Sequence, residues 1–197
     1  MLETISLALL IFLALQISVR NYRVELSSME STLLPRDRVV VNKLLYFLLD
    51  VEEVNRLLPF VDIDTHSDKI FPFHSPSRGE IIVFRFPRDT SRDFVKRVIG
   101  LPGDVVSINN GQVFIDGNPL DEPYLVEKYS DTLSPTLVAP DSYFVMGDNR
   151  DQSSDSRDWG TVPLENIVGK TWVRYWPLSE FSFLSGGRPT VVEGTLR

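Results

Sequence analysis

One lysine in this chain is placed where it can lose its charge and act as a base. The run Phe94–Ile99 has the composition of a strand, in which side chains alternate faces, so Lys96 shares a face with Phe94 and Val98. An ammonium on an apolar face loses hydration, which favours its neutral form and makes the lysine a general base near neutral pH. Arg97 cannot do this because a guanidinium does not deprotonate, and we expect it to face outward. The alternative is that the Lys96 stem covers the apolar face while its amine pairs with a surface carboxylate.

A neutral lysine can activate a serine hydroxyl as a nucleophile. Four hydroxyl side chains precede the β-branched run Arg38–Asn42, namely Ser27, Ser28, Ser31 and Thr32. This segment can present a hydroxyl to a cleft, or its hydroxyls can bond their own backbone. The two histidines lie in an irregular segment at positions 66 and 74, so a histidine-dependent triad or a multi-histidine metal site is poorly supported. Ser28 with Lys96 is therefore the candidate catalytic pair.

The segment Gly147–Gly160 is the other place where chemistry is concentrated. It holds four Asp, three Ser and two Arg directly after an apolar run. Such oxygens can bind calcium, but the spacing of an EF-hand loop fails because the sixth position is not Gly and the twelfth is not Glu. We favour a rigid loop, braced by Asp–Arg pairs and Asx turns, that holds a serine at the edge of a cleft.

The composition narrows the functional classes. With 197 residues the chain can form one sizeable domain, and a net charge of −7 without a basic block argues against nucleic acid as a partner. The absence of Cys excludes thiol catalysis, disulfides and Cys-based zinc sites. We predict that the protein uses no metal and no cofactor.

The elements that must position these residues are mainly strands. Turns are predicted at Asn109–Gly111 and Asp116–Asn118, because Asn-Gly and Asp-Gly favour tight hairpins. Several short strands at this spacing predict a mainly β protein with a folded antiparallel sheet or open barrel. The predicted strands after residue 78 are Glu80–Phe86, Phe94–Ile99, Val105–Ile108, Gln112–Ile115, Ser142–Met146 and Lys170–Trp176.

The N-terminal region is apolar from Ile5 to Val19, about fifteen residues. This run is short for a bilayer span, and it can be a membrane helix, a cleaved signal peptide or a buried helix. No Lys or Arg precedes it, which disfavours the signal peptide. We predict an anchor at residues 1–22, a β-rich catalytic domain at 23–184 and a flexible tail at 185–197.

An irregular insertion is predicted at residues 44–76 within the β-rich domain. Leu44–Leu58 is expected to be a helix, and three prolines break up the segment that follows. Its apolar residues, which include Phe60, Ile70, Phe71 and Phe73, are expected to form a satellite cluster, with contact to a membrane surface as the alternative.

Four motifs together resemble those of the bacterial type I signal peptidases, or leader peptidases (peptidase family S26), including cyanobacterial and plastid members. They follow the apolar N-terminal run in the order expected for that family, and the resemblance covers roughly Ile5 to Pro177. The Lys96 motif and the Gly147–Gly160 loop are highly specific in combination, whereas the Ser28 motif alone is weak. The motifs are Ser28–Leu33, Arg78–Phe84, Lys96–Asp104 and Gly147–Gly160.

The resemblance implies a role for each matching residue. Ser28 is the nucleophile and Lys96 the general base, and Ser153 falls where the family has a hydroxyl that bonds the lysine amine. Asp155 and Arg157 fall at a supporting ion pair in the same loop as Asp148 and Asn149, and the substrate or oxyanion region includes Ser27 and Met29.

Two positions depart from the family pattern. Ser31 replaces a usual Pro, which loosens the loop by increasing the freedom of the unfolded chain. Leu26 replaces a Ser that in many members lends its hydroxyl to the oxyanion hole, so the hole must rest more on backbone N–H groups, including that of Ser28.

The resemblance implies a membrane-bound serine endopeptidase that removes signal peptides from exported preproteins and favours small residues at positions −1 and −3. Its partners are then signal peptides and a lipid bilayer. It implies a single-pass protein of a cytoplasmic or thylakoid membrane, with the catalytic domain on the periplasmic, extracellular or lumenal side. Arg20 and Arg23 after the apolar run favour the opposite orientation.

Two other functions compete with this one. A catalytically silent paralogue that acts as a membrane-attached binding or scaffold subunit is the alternative, which Leu26 and Ser31 favour. A self-cleaving repressor with a Ser/Lys pair needs a DNA-binding helix-turn-helix before the β-domain, where this chain has its apolar run.

Overall fold

The structure, a computed structural model, describes residues 4–7, 9, 18–46, 48–51, 55–56, 69–70, 74–126, 129–184, 187 and 189–192. Most of the predicted anchor and most of the predicted tail lie outside these residues. So does most of the predicted insertion, including His66 and, of its predicted apolar cluster, Phe60, Phe71 and Phe73. In the described part of the chain, no helix is both long enough and apolar enough to cross a membrane.

The predicted mainly β architecture is confirmed, and all strand pairs are antiparallel. Among the described residues, the helical structure between residues 74 and 192 consists of short 3-10 turns and one short α-helix, α1 (Ser156–Trp159), and Val51, Asn55 and Arg56 earlier in the chain are also helical. The strands are β1 (Val19–Arg23), β2 (Arg38–Asn42), β3 (Leu49–Asp50), β4 (Lys69–Ile70), β5 (Ile81–Phe86), β6 (Asp89–Gly100), β7 (Val105–Asn109), β8 (Gln112–Ile115), β9 (Asn118–Asp121), β10 (Leu133–Leu137), β11 (Ser142–Met146), β12 (Val162–Pro163), β13 (Ile167–Trp176), β14 (Ser182–Phe183) and β15 (Thr190–Val191).

The larger sheet carries the candidate site. Its strand order is β1-β2-β13-β5-β6-β11-β12, with β14 paired to β13. Successive residues of β5 alternate between two apolar clusters, since Ile82 and Phe84 pack with Val98 while Ile81 and Val83 pack with Met29. Both faces of the sheet are therefore covered at its centre, and the end of β6 that holds Lys96 and Arg97 is buried.

A second sheet, in the order β10-β7-β8-β9-β15, packs around an apolar cluster that it shares with Ile99, Phe144 and Met146 of the larger sheet. Both of its predicted hairpin turns are confirmed. Asn110 and Gly111 have φ of 48° and 82°, and Asp116 and Gly117 have φ of 51° and 80°. Two consecutive positive φ values are those of a type I′ turn, which matches the twist of the flanking strands.

Several predicted boundaries differ from the structure. Residues 19–22, placed in the anchor, belong to β1, because Val19–Arg23 pairs residue for residue with β2. Thr190 and Val191, placed in the flexible tail, pair with β9. The predicted helix at Leu44–Leu58 is wrong at its start, where a 3-10 turn (Leu44–Tyr46) is followed by β3.

Candidate active site

Ser28 lies in a 3-10 turn formed by Ser27–Met29, which follows an extended Leu26 with φ of −115° and ψ of 162°. Core packing and a backbone hydrogen bond hold this turn in place. Met29 is fully buried in the apolar core, and its carbonyl accepts a hydrogen bond from the Leu33 N–H at 2.8 Å. The Met29 side chain is used for core packing, so only its backbone is available to the substrate or oxyanion region in which the resemblance places it. Ser27 is half-buried and does not line the cleft described below.

Lys96 reaches Ser28 across 68 positions of sequence. Its Nζ lies 2.6 Å from the Ser28 Oγ, and only 4% of the residue is exposed. Burial lowers the pKa of the Lys96 amine to about 8, although Asp155 and Asp148 act to raise it and Arg157 to lower it. The alternative of an amine paired with a surface carboxylate is wrong, because the Lys96 amine is buried and bonds a hydroxyl.

Arg97 does not face outward as predicted. Its guanidinium forms a two-pronged ion pair with Asp148, at 2.8 and 2.6 Å, and both side chains are 1% exposed. It also donates to the Gly79 carbonyl at 2.8 Å and to the Thr32 hydroxyl at 3.1 Å. Arg97 thus ties the Lys96 strand to the Ser28 segment and to the acidic loop.

The acidic loop is braced as predicted. Arg157 bonds both carboxylate oxygens of Asp155, at 2.8 and 2.9 Å, and lies 2.6 Å from Asp131. The Asn149 side chain accepts a hydrogen bond from the Gln152 N–H and so caps the 3-10 turn Arg150–Gln152. The Asp155 carboxylate accepts one from the Arg157 N–H two residues on, which is an Asx turn. The Asn149 N–H donates to the Ser28 carbonyl at 3.1 Å, so the loop is fastened to the residue that carries the candidate nucleophile.

A buried ion pair that the sequence analysis missed joins this loop to the second sheet. Arg150 pairs with Glu122 and also bonds the Tyr129 hydroxyl. No local pattern marks Glu122, which lies in an ordinary polar segment 28 positions earlier in the chain.

Ser153 lies beside the pair, but the hydrogen bond to Lys96 that the resemblance implies is not formed. Its Oγ is buried without a hydrogen-bond partner among the described residues. The Lys96 amine instead bonds Ser28, while the Ser153 hydroxyl packs against the backbone of Gly147. A Cβ added at Gly147 would lie 2.3 Å from the Ser153 Oγ and 2.4 Å from the Ser28 carbonyl oxygen, so this close approach requires glycine.

The two departures from the family pattern have distinct structural outcomes. The Ser31 hydroxyl donates to the Tyr124 carbonyl at 2.8 Å, which ties the loop to the second sheet where proline would have stiffened it. The Leu26 side chain is exposed and supplies no donor.

The motif at residues 78–80 secures the far end of β6. Arg78 pairs with Asp104 at 3.1 Å, across the turn that ends the strand. Burial acts to raise the pKa of Glu80, but hydrogen bonds from Lys170, the Ser77 N–H and Tyr46 hold it below its usual value. These residues support the strand rather than the reacting pair.

Ser28 and Lys96 line a cleft of about 680 Å³. Valine side chains from three strands of the larger sheet, Val39, Val83 and Val95, form part of its lining. Its walls are the segment Tyr22–Leu26 on one side and Asp93–Lys96 on the other. The cleft can therefore hold an extended peptide whose carbonyl group meets the Ser28 hydroxyl.

Comparisons with known proteins identify the family of this chain. The profile of the family described as "Signal peptidase, peptidase S26" matches residues 1–176. The chain is 37% identical to "Probable signal peptidase I-2" of Synechocystis over 81% of this chain. The match spans 64% of that relative, which is less than two thirds of its length. It is 34% identical to "Signal peptidase I" of Leptolyngbya laminosa, covering 93% of this chain and 82% of that protein. It is 32% identical to "Thylakoidal processing peptidase 1, chloroplastic" of Arabidopsis thaliana, covering 79% of this chain and 42% of that protein.

Proposed function

We propose, on the premise that this chain belongs to the signal peptidase family S26 and is a hydrolase of the signal peptidase I type, that it cleaves signal peptides from preproteins through a Ser28/Lys96 pair. The observation that carries the proposal is the 2.6 Å approach of a buried lysine amine to a serine hydroxyl, both of which line a cleft.

In the proposed mechanism, neutral Lys96 takes the proton of the Ser28 hydroxyl as its oxygen attacks the carbonyl carbon of the cleaved bond. The protonated amine then gives this proton to the leaving nitrogen, and the peptide bond breaks to leave an acyl group on Ser28. Water attacks the ester carbon as Lys96 takes one of its protons, and Lys96 then gives this proton to the Ser28 Oγ as the ester bond breaks, which releases the acid product and restores both residues. Burial supports this role because it holds the pKa of Lys96 near 8, where a neutral amine is accessible.

The remaining site residues act as positioning residues in this proposal. Asp155 and Asp148 are the carboxylates whose charge stabilises the Lys96 ammonium when it forms. The Ser28 N–H is our candidate donor to the oxyanion, since Leu26 has no hydroxyl to contribute. The valine lining of the cleft fits small apolar substrate side chains, as at positions −1 and −3 of a signal peptide.

We further propose that the protein works at a membrane. Supporting this is an aromatic face, defined as Trp172, Trp176, Leu178, Phe181 and Phe183, whose members are 49–73% exposed. The Phe183 ring lies 6.3 Å from the Trp172 ring and 5.8 Å from the Phe181 ring, so at least these three are contiguous. Exposed apolar patches of this kind mark interaction surfaces, and Trp is favoured at membrane interfaces.

Cleavage of a purified model preprotein in detergent tests the proposal. Ser28→Ala and Lys96→Ala should each abolish cleavage, whereas Ser107→Ala and Lys43→Ala, which alter the same residue types outside the cleft, should retain it. Full activity in either of the first two variants would reject the catalytic pair. An inactive wild-type protein would favour the alternative of a silent scaffold subunit.

A further inference from the structure

Two strand edges border the cleft without a neighbouring strand in the described part of the chain. β1 pairs with β2 alone. β6 pairs with β11 only through Arg97, Val98 and Gly100, so Asp93–Lys96 has β5 on one side and the cleft on the other. An extended peptide in the cleft can therefore add backbone hydrogen bonds along either edge.

A hydrogen bond joins these two walls. The Tyr22 hydroxyl of β1 donates to the Asp93 carboxylate of β6 at 3.0 Å, and both residues line the cleft. Partial burial and the neighbouring carboxylate raise the pKa of Tyr22 to about 12, so the hydroxyl remains a donor at physiological pH. We call this contact the Tyr22–Asp93 bar.

The bar lies a short way from the reacting pair. Asp93 and Lys96 are three residues apart in one strand, which is about 10 Å at about 3.3 Å per residue. Counting both ends, Asp93–Lys96 comprises four strand positions, so an extended peptide beside this wall has about four residues from the bar to the bond at Ser28. Beyond the bar the two strands continue as Val19–Asn21 in β1 and Asp89–Arg92 in β6, of which Arg92 lines the cleft.

We propose that the Tyr22–Asp93 bar limits the extended part of the substrate to about four residues before the cleaved bond. This inference rests on the proposed function and deepens it. A longer extended segment must leave the cleft at the bar, because the hydroxyl–carboxylate contact occupies the space between the two edges. Tyr22 and Asp93 are thus specificity-determining residues that measure substrate length.

A series of peptides tests this limit. Each peptide has the same cleavage site and carries four, six or eight residues before it, with alternating Thr and Val in the added positions to favour an extended chain. For the wild-type protein, kcat/KM should change by less than about twofold from four to eight residues. For Tyr22→Phe, which keeps the ring and removes the donor, it should rise at least about threefold through hydrogen bonds made beyond the bar.

Matched variants separate the bar from general effects on the fold. Asp93→Ala should give the same length dependence as Tyr22→Phe, and the double variant should give no further gain, because both changes break one contact. Tyr175→Phe, a tyrosine of β13 that does not line the cleft, should behave as wild type. Thermal unfolding of each variant shows that it is folded.

The outcomes separate this proposal from the function on which it rests. If the wild-type protein cleaves the peptides and Tyr22→Phe has the same length dependence, the limit is rejected while the peptidase function is retained. If the wild-type protein cleaves none of the peptides although it is folded, both are rejected. A gain with length in both single variants, absent from Tyr175→Phe, supports the bar.

Discussion

At the scale of single residues, Lys96 is held in a state that is unfavourable for folding. Its pKa of about 8 in the folded chain lies below the ordinary value of 10.5, so folding must displace a proton or bury a charge. The resulting penalty is fully present below pH 8 and disappears as the pH rises past 10.5, where the unfolded chain also loses the proton.

Replacing this side chain should therefore stabilise the protein. Lys96→Met keeps the volume and removes the charge, and we expect the free energy of unfolding at pH 7 to rise by roughly 3 kcal/mol. The gain should shrink as the pH is raised from 8 to 10.5, and urea unfolding at several pH values measures it. Lys43→Met, at a less buried position, should change stability by less than about 0.5 kcal/mol. An equal gain for Lys96→Met at pH 7 and pH 10 would contradict this account.

Sequence reasoning at this scale succeeded for Lys96 and failed for its neighbour. Strand alternation placed Lys96 on an apolar face, a local property of five residues. The outward prediction for Arg97 failed because its partner Asp148 lies 51 positions away, and nothing near Arg97 marks a buried carboxylate. The core packing of Met29 was not predicted for a similar reason, since most of its core neighbours come from strands that follow it in the sequence.

At the scale of elements, the site depends on a close contact between the Ser28 turn and the acidic loop. Gly147 is the point of contact, where an added Cβ would overlap the Ser28 carbonyl oxygen and the Ser153 hydroxyl. The backbone oxygen cannot move without shifting the turn that holds Ser28.

Gly147→Ala should consequently reduce kcat/KM at least about tenfold and destabilise the fold by about 1–3 kcal/mol through overpacking. Preprotein cleavage and thermal unfolding measure the two effects. Gly117→Ala is the matched control, because its added Cβ meets no atom within 4 Å and only the positive φ resists it. It should cost about 1 kcal/mol and leave cleavage unchanged. Normal cleavage by Gly147→Ala would show that the turn tolerates displacement.

Local patterns predicted those elements whose pairing is also local. The hairpins of the second sheet follow from Asn-Gly and Asp-Gly turns and alternating apolar residues. β1 was assigned to the anchor and β15 to the tail. Their partners, β2 and β9, are distant in sequence, and no short turn motif links either strand to its partner. β6 begins five residues earlier than predicted, since the polar residues Asp89–Asp93 continue its pairing with β5.

At the scale of the whole molecule, the aromatic face bears on the proposal that the protein works at a membrane. If signal peptides are its substrates, a catalytic domain held at a bilayer surface would meet their apolar segments there. The cleft and the aromatic face are both built mainly on the larger sheet.

We expect Trp176→Ser combined with Phe181→Ser and Phe183→Ser to weaken binding of the protein to lipid vesicles at least about tenfold, because each change removes exposed apolar area. Cosedimentation with vesicles measures this. Leu137→Ser, at an exposed position of the second sheet, is the control and should bind as wild type does. Unchanged binding of the triple variant would leave the aromatic face without a role at the membrane.

Acylation of Ser28 by a penem inhibitor tests the Ser28/Lys96 pair most directly. The adduct is located by peptide mass spectrometry, and its rate of formation is followed from pH 6 to pH 10. We predict a single adduct on Ser28 whose rate rises about tenfold per pH unit below 8 and levels off above it, as Lys96 becomes neutral. Lys96→Met should form no adduct. An adduct on another residue, a rate independent of pH, or labelling of Lys96→Met at the wild-type rate would contradict the account.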